Sequence, residues 1–327
     1  MIVKKVVFLW VNLFALSFVS PAYSHEGNHS ISQLAADWLV ELGPKSEKVQ
    51  ISFLSPVRYK FAWTPGVRMG IRLDELSGSQ KAGLQKILTS VLSKQGSNKV
   101  DAILATEAAL AVMQNSPEYR NPGKYYTAVF GTPGKGHWGL RFEGHHISIN
   151  LTFDGDEIIS ASPLFWGANP ETIAVGPDQG LRALKDEVDF GKKLYASFDE
   201  KQIELATASN EWFAGFLTDA GSRRANMGKP VGIKTQALSS EQNGILRALI
   251  SVYIESINEN YSIQYLSENV EKDWKNIRFF WKGSATKGEN FYFRIVGSNL
   301  LIEQETQGSD THIHTIWRDA KNDFGGL

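Results

Sequence analysis

Two stretches of the chain carry one pattern of apolar and polar positions. Met69-Gly70-Ile71-Arg72-Leu73-Asp74-Glu75-Leu76-Ser77 aligns without a gap on Val231-Gly232-Ile233-Lys234-Thr235-Gln236-Ala237-Leu238-Ser239. The register continues with Gln80 on Gln242, Leu84 on Leu246, Ile87 on Leu249 and Leu88 on Ile250. After the serine in each stretch, apolar residues recur at i, i+3, i+4 and i+7, the spacing of a helix with one buried face. Residues 31–42 predict helix ahead of the first stretch, and residues 184–209 predict its counterpart ahead of the second. Trp138-Gly139-Leu140-Arg141-Phe142-Glu143-Gly144 also resembles Phe291-Tyr292-Phe293-Arg294-Ile295-Val296-Gly297. An ungapped self-match over these stretches argues for duplication.

Strand-like runs fall into two groups. Residues 125–130, 138–142, 146–153 and 157–162 form the first; residues 277–281, 291–296, 300–305 and 311–318 form the second. Glycine-containing connections separate them, including Asp154-Gly155, Gly283 and Gln307-Gly308. Helices followed by strands, twice, predict an α+β fold: two pseudo-repeats, each with helices followed by an antiparallel strand meander, fused into one body. The expected boundaries are 1–24 for an export signal and 25–163 for the first helix-plus-sheet repeat. A bridging loop over 164–183 then leads to the second repeat, 184–327.

The signal rests on Lys4 and Lys5, an apolar run over 6–19 interrupted by Asn12 and Ser17, and small residues that permit cleavage after Ala22 or Ser24. That run is too short to span a bilayer, and nothing after it predicts a span. The expected location is periplasmic or secreted. Among 327 residues, 42% are hydrophobic and 21% charged, a composition that excludes disorder. Lys and Arg total 34 against 35 Asp and Glu, which gives no basic footprint for nucleic acid. Cysteine is absent, so thiol nucleophiles, disulfides and thiolate-bound metals are excluded. No dinucleotide or P-loop fingerprint occurs, so no nucleotide cofactor is expected.

Histidine placement carries the chemistry. In Thr311-His312-Ile313-His314, two histidines stand two apart on a strand and share a face, with Arg318 further along it. In Arg141-Phe142-Glu143-Gly144-His145-His146-Ile147, the polar alternation changes phase at Gly144, which predicts a bulge or tight turn there. Such a turn aligns Arg141, Glu143 and His146 while leaving His145 free to point either way. The resulting hypothesis is a divalent metal site, zinc first, built by His312, His314 and one of His145 and His146. Glu143 would act as general base or added ligand, and Arg141 and Arg318 would hold an anionic group. The expected ligand is a small-molecule or anionic substrate. The bland alternative is that these histidines only bond structurally between sheets.

Three further features have weaker readings. Asp319 and Asp323 are either carboxylates that orient imidazole N–H groups or a solvated turn. Trp166 follows the first strand group and would lip a pocket. His25, if it begins the mature chain, would chelate copper together with His29.

The mature chain resembles the bacterial family catalogued as domain of unknown function 3500. The resemblance rests on Arg68-Met69-Gly70-Ile71, Tyr125-Tyr126 leading to Phe130-Gly131-Thr132-Pro133, and Trp138 through Asn150. Pro163 to Pro170, His312-Ile313-His314, Trp317-Arg318-Asp319 and Asp323-Phe324-Gly325 complete it. Trp166 stands where that family has a small residue. The resemblance implies no activity. The sequence therefore predicts an exported metal-binding protein, read as a metal-dependent hydrolase with a metal-activated water. The alternative is a non-catalytic periplasmic protein that binds a metal or small anion.

Overall fold

The computed structural model describes residues 29–209, 215–286, 288–308 and 311–327. Residues 1–24, read as the export signal, and His25 lie outside them. The first helix, α1 (Ile31–Leu42), opens at Ser30, whose hydroxyl accepts from Gln33 N, and leads through α2 (Ser46–Val49) to β1 (Gln50–Ile51). A long covering segment then reaches β2 (Ile71–Arg72), α3 (Gly78–Val91) and α4 (Lys94–Met113). The strands β3 (Tyr126–Phe130), β4 (His137–Gly144), β5 (Ile147–Asp154), β6 (Glu157–Ser160) and β7 (Leu164–Ala168) follow. Next come α5 (Lys185–Ala196), α6 (Glu200–Thr207), a second covering segment, β8 (Ile233–Lys234), α7 (Ser240–Ile254) and α8 (Glu259–Tyr265). The chain closes with β9 (Arg278–Gly283), β10 (Phe291–Val296), β11 (Leu300–Thr306) and β12 (Ile313–Asp319).

The two stretches that match in sequence fold alike locally. Gly70 and Gly232 have φ of +98° and +93°. A Cβ there would lie 2.0 Å from Thr127 O and 2.3 Å from Phe279 O, so only glycine lets each short strand approach its neighbour. Each stretch then starts its helix with a capping box. Ser77 Oγ accepts from Gln80 N at 3.2 Å while Gln80 Oε1 accepts from Ser77 N at 3.0 Å. Ser239 and Gln242 repeat this at 3.2 and 2.8 Å.

All the strands join one mostly antiparallel sheet, in the order β1-β3-β4-β5-β7-β12-β11-β10-β9-β8, with β2 on β3 and β6 on β5. The two expected strand groups are therefore not separate sheets. Leu164–Ala168, expected as the start of a bridging loop, is instead β7, which pairs with β5 on one side and β12 on the other. Pro163 and Pro170 on either side, with Gly167 within, read as a loop. Leu164, Trp166 and Ala168 nevertheless bury one side of the strand and Phe165 the other. Trp166 is fully buried and lines no pocket mouth.

Alternation assigns the two faces of the sheet. One carries Phe142, Ile149, Trp166, Trp317, Ile302 and Phe293 and packs under the helices in the main core. Within that layer Lys99 of α4 pairs with Glu187 of α5, both buried, and Lys99 also reaches Ser256 Oγ at 3.2 Å. The other face carries Arg141, Glu143, Asn150, His314, Arg318, Arg294 and Glu303, all buried. Covering segments shield it with a small apolar cluster of Phe61, Phe165, Ile316 and Phe324, against which Trp63 and Phe216 pack. The face is polar in sequence yet dry, so every charge on it needs a partner.

Candidate metal centre

The β4–β5 hairpin turns through two residues, His145 and His146, since Gly144 pairs directly with Ile147. His146 takes φ of +65°, and its N–H donates to Trp63 O at 2.9 Å, which ties the turn to the covering segment. Gly144 is required beneath the turn, because a Cβ there would sit 2.5 Å from the Tyr125 ring. The phase change at Gly144 is thus a tight turn, and His146 belongs to it rather than to the following strand.

On the other side of the junction, His312 immediately precedes β12 and His314 lies within it. Both project to the covered face, with ring centroids 4.6 Å apart. Their strand lies beside β7, where Gly167 pairs with His314. The missing side chain leaves the space that the His146 ring occupies.

The donor atoms of His146, His312 and His314 all lie within 4.8 Å of one another. His146 Nε2 is 3.0 Å from His312 Nε2 and 3.3 Å from His314 Nε2. A tetrahedral zinc with bonds of about 2.0–2.1 Å separates its nitrogen donors by about 3.3 Å. One ring nitrogen carries either one lone pair or one hydrogen. His146 Nε2 therefore satisfies only one of its two contacts through a proton, whereas a shared cation satisfies all three rings.

The environment keeps His146 and His312 neutral, which is the ligand form. Burial, then the neighbouring imidazoles of His145, His314 and His312 and the Arg120 charge, hold His146 well below the usual histidine range. Burial first, then His314, His145 and Arg120, lowers His312 to about 4. His314 Nδ1 lies 3.3 Å from Glu305 Oε1, an arrangement in which Nδ1–H donates to the carboxylate and Nε2 turns its lone pair inward. His312 is the most exposed of the three rings, so the free side of the site opens there.

Other predicted site residues have different partners. His145 stacks on His146 with centroids 3.7 Å apart, but its Nδ1 lies 2.5 Å from Glu107 Oε2, so it stands beside the cluster and outside the three-ring group. Glu143 accepts from Ala62 N at 3.1 Å, faces Arg141 at 3.7 Å, and is raised by burial. Arg141 donates to Asn150 Oδ1 at 2.6 Å and to the carbonyls of Val57, Arg58 and Lys60, so it clamps the covering segment. Arg318 shares the face of His314, but four residues of strand put about 13 Å between them. It pairs with Asp323 at 2.8 Å and donates to Ser222 O. Asp319 and Asp323 are buried beside Arg318, neither solvated nor bonded to an imidazole. Glu143, Arg141 and Arg318, expected as base and anion holders, thus each bond to the covering segments.

Sequence reasoning missed Glu305, Glu107, Arg120 and Gly167. Glu305 was within reach, since counting back across the β11–β12 turn sets it opposite His314. Glu107 sits on a helix and Arg120 in the connection after it, and no local signal links either to the double histidine.

The family model described as protein of unknown function (DUF3500) matches residues 25–326. The chain belongs to that family. Neither a curated protein nor a solved structure matches it. The match spans both the double-histidine turn and the closing His-Ile-His. Among the described residues no helix is long and apolar enough to cross a membrane.

Proposed function

We propose that this DUF3500 protein is an exported metal-binding protein in which His146, His312 and His314 hold one divalent ion, zinc first. The convergence of three Nε2 atoms at 3.0 and 3.3 Å carries this reading. Three protein nitrogens leave a fourth position for water, the arrangement of catalytic rather than closed structural zinc. An ion held there would supply a water that ionises near neutral pH as a nucleophile. On that ground we read the activity as metal-dependent hydrolysis. Glu143 is spent on Ala62 N and Arg141. That favours a second reading, a non-catalytic protein that binds a metal or small anion. Export rests on the pattern of residues 1–24. We also read the chain as a duplicated unit, on the matched glycines and capping boxes.

Elemental analysis of the purified mature protein tests the centre. The expected result is one zinc-class ion per chain, lost in His312→Ala and His314→Ala. A wild-type protein free of stoichiometric metal after growth in metal-replete medium overturns it. Turnover of ester, amide or phosphoester substrates by metal-loaded protein, abolished by a chelator, separates hydrolase from binding protein.

A further inference from the structure

We infer that the chain is two units related by a two-fold axis between β7 and β12, and that the three-histidine centre is a metal clasp across their seam, present at one of two equivalent places. The clasp rests on the metal reading above and gives the ion a task besides any hydrolysis. The ladder registers carry the axis. One row of paired residues runs through Ile71, Thr127, Phe142, Ile149 and Leu164, from β2 to β7. A second runs through Ile233, Phe279, Ile295, Ile302 and Trp317, from β8 to β12. The sequence match sets Ile71 on Ile233 and Phe142 on Ile295. The rows meet end to end, because Leu164 pairs with Trp317 in the antiparallel ladder. Equivalent residues that pair with each other lie on a two-fold axis. The helix layer obeys the same operation. Leu92 after α3 bridges Ile257 after α7. Around that bridge Ser93 N donates to Ser256 O at 3.2 Å, and reciprocally Asn258 N donates to Val91 O at 2.9 Å. Ser93 and Asn258 then cap the next helices, α4 and α8.

The two equivalent places share a backbone and differ in side chains. Gly167 N donates to His146 O at 2.8 Å, and Ala320 N donates to Asn299 O at 2.8 Å. Glu305 pairs with His314 where Thr152 pairs with Ser160. The second place thus makes the same turn-to-strand bond with no imidazole, so the fold itself does not call for the histidines. His146 comes from the first unit, and His312 and His314 from the second. Their Nε2 contacts of 3.0 and 3.3 Å therefore cross the seam. One ion on all three rings would convert those contacts into a cross-link between units. A cross-link that exists only in the closed seam lowers the local opening of the strands it joins.

Amide hydrogen exchange of the mature protein, read by mass spectrometry with zinc bound and after chelation, tests the clasp. The turn and strands over 145–149, 164–168 and 312–316 should exchange about tenfold faster, or more, in the stripped protein. The equivalent turn over 298–302 carries no ligand and should exchange alike in both forms. His312→Ala in the presence of zinc should match stripped wild type over the same segments, and the comparison on wild type decides alone if that variant does not fold. Zinc uptake without any change over 145–149, 164–168 and 312–316 overturns the clasp and leaves the metal reading standing. An equal rise over 298–302 also overturns it, because the ion would then support the whole fold rather than one seam. Failure to take up zinc overturns the metal reading and the clasp with it.

Discussion

Gly167 lies against His146 so closely that a Cβ on residue 167 would meet His146 Cδ2 at 2.6 Å. The glycine also donates its N–H to His146 O at 2.8 Å. It is the position in β7 that lets a ring from one hairpin turn enter the space beside a histidine of β12. Gly167→Ala should therefore displace the His146 ring without changing any charge. Zinc affinity, measured by chelator competition, should fall at least tenfold while far-UV circular dichroism stays the same. Wild-type affinity in that variant would contradict the placement of His146.

Glu305 orients His314 through Nδ1, and carboxylates in that role typically contribute 10- to 100-fold in metal affinity. Glu305→Gln should lower zinc affinity within roughly that range, and Glu305→Ala by more. Isothermal titration of the metal-free protein reads this directly. No change in either variant would remove Glu305 from the centre.

Lys99 and Glu187 are sealed in the helix layer, with Lys99 also bonded to Val252 O at 3.3 Å. Removing one partner leaves a buried charge uncompensated, which costs about 3–5 kcal/mol. Lys99→Met should lower the unfolding free energy obtained from urea titration by that order, and the double change Lys99→Met with Glu187→Leu should recover much of it. A single variant as stable as wild type would mean that the pair is not buried in solution.

Burial raises the Glu303 carboxyl to about 7. Against it work the Tyr292 hydroxyl at 2.5 Å, the Leu217 N–H at 3.0 Å and the Arg294 charge, while Glu305 adds to the rise. The folded chain thus holds a proton that the unfolded chain releases near 4.5, so stability falls as pH rises from about 4.5 through 7. Glu303→Gln should remove this loss. The difference in Tm between variant and wild type should shift in the variant's favour between pH 5 and pH 8, and taking that difference cancels the opposite contribution of the lowered imidazoles. Parallel Tm profiles would show that Glu303 is ionised in the fold at all these pH values.

Local patterning determined much of this protein before any contact was known. Serine followed three residues later by glutamine starts α3 and α7, because a capping box is satisfied within four residues. Glycines 70 and 232 mark close backbone approach for the same local reason. The His-x-His spacing placed His312 and His314 on one face, since strand alternation needs no tertiary context. What local pattern could not decide was which face would be covered. Arg141, Glu143 and Arg318 looked like chemistry because charged residues on a strand usually meet water. Here the covering segments exclude water, and those charges are consumed in holding the cover. The pairing of β7 with β12 also lay beyond the sequence, because it joins strands about 150 residues apart. That single long-range pairing brings His146 to His312 and His314, and with them the candidate centre.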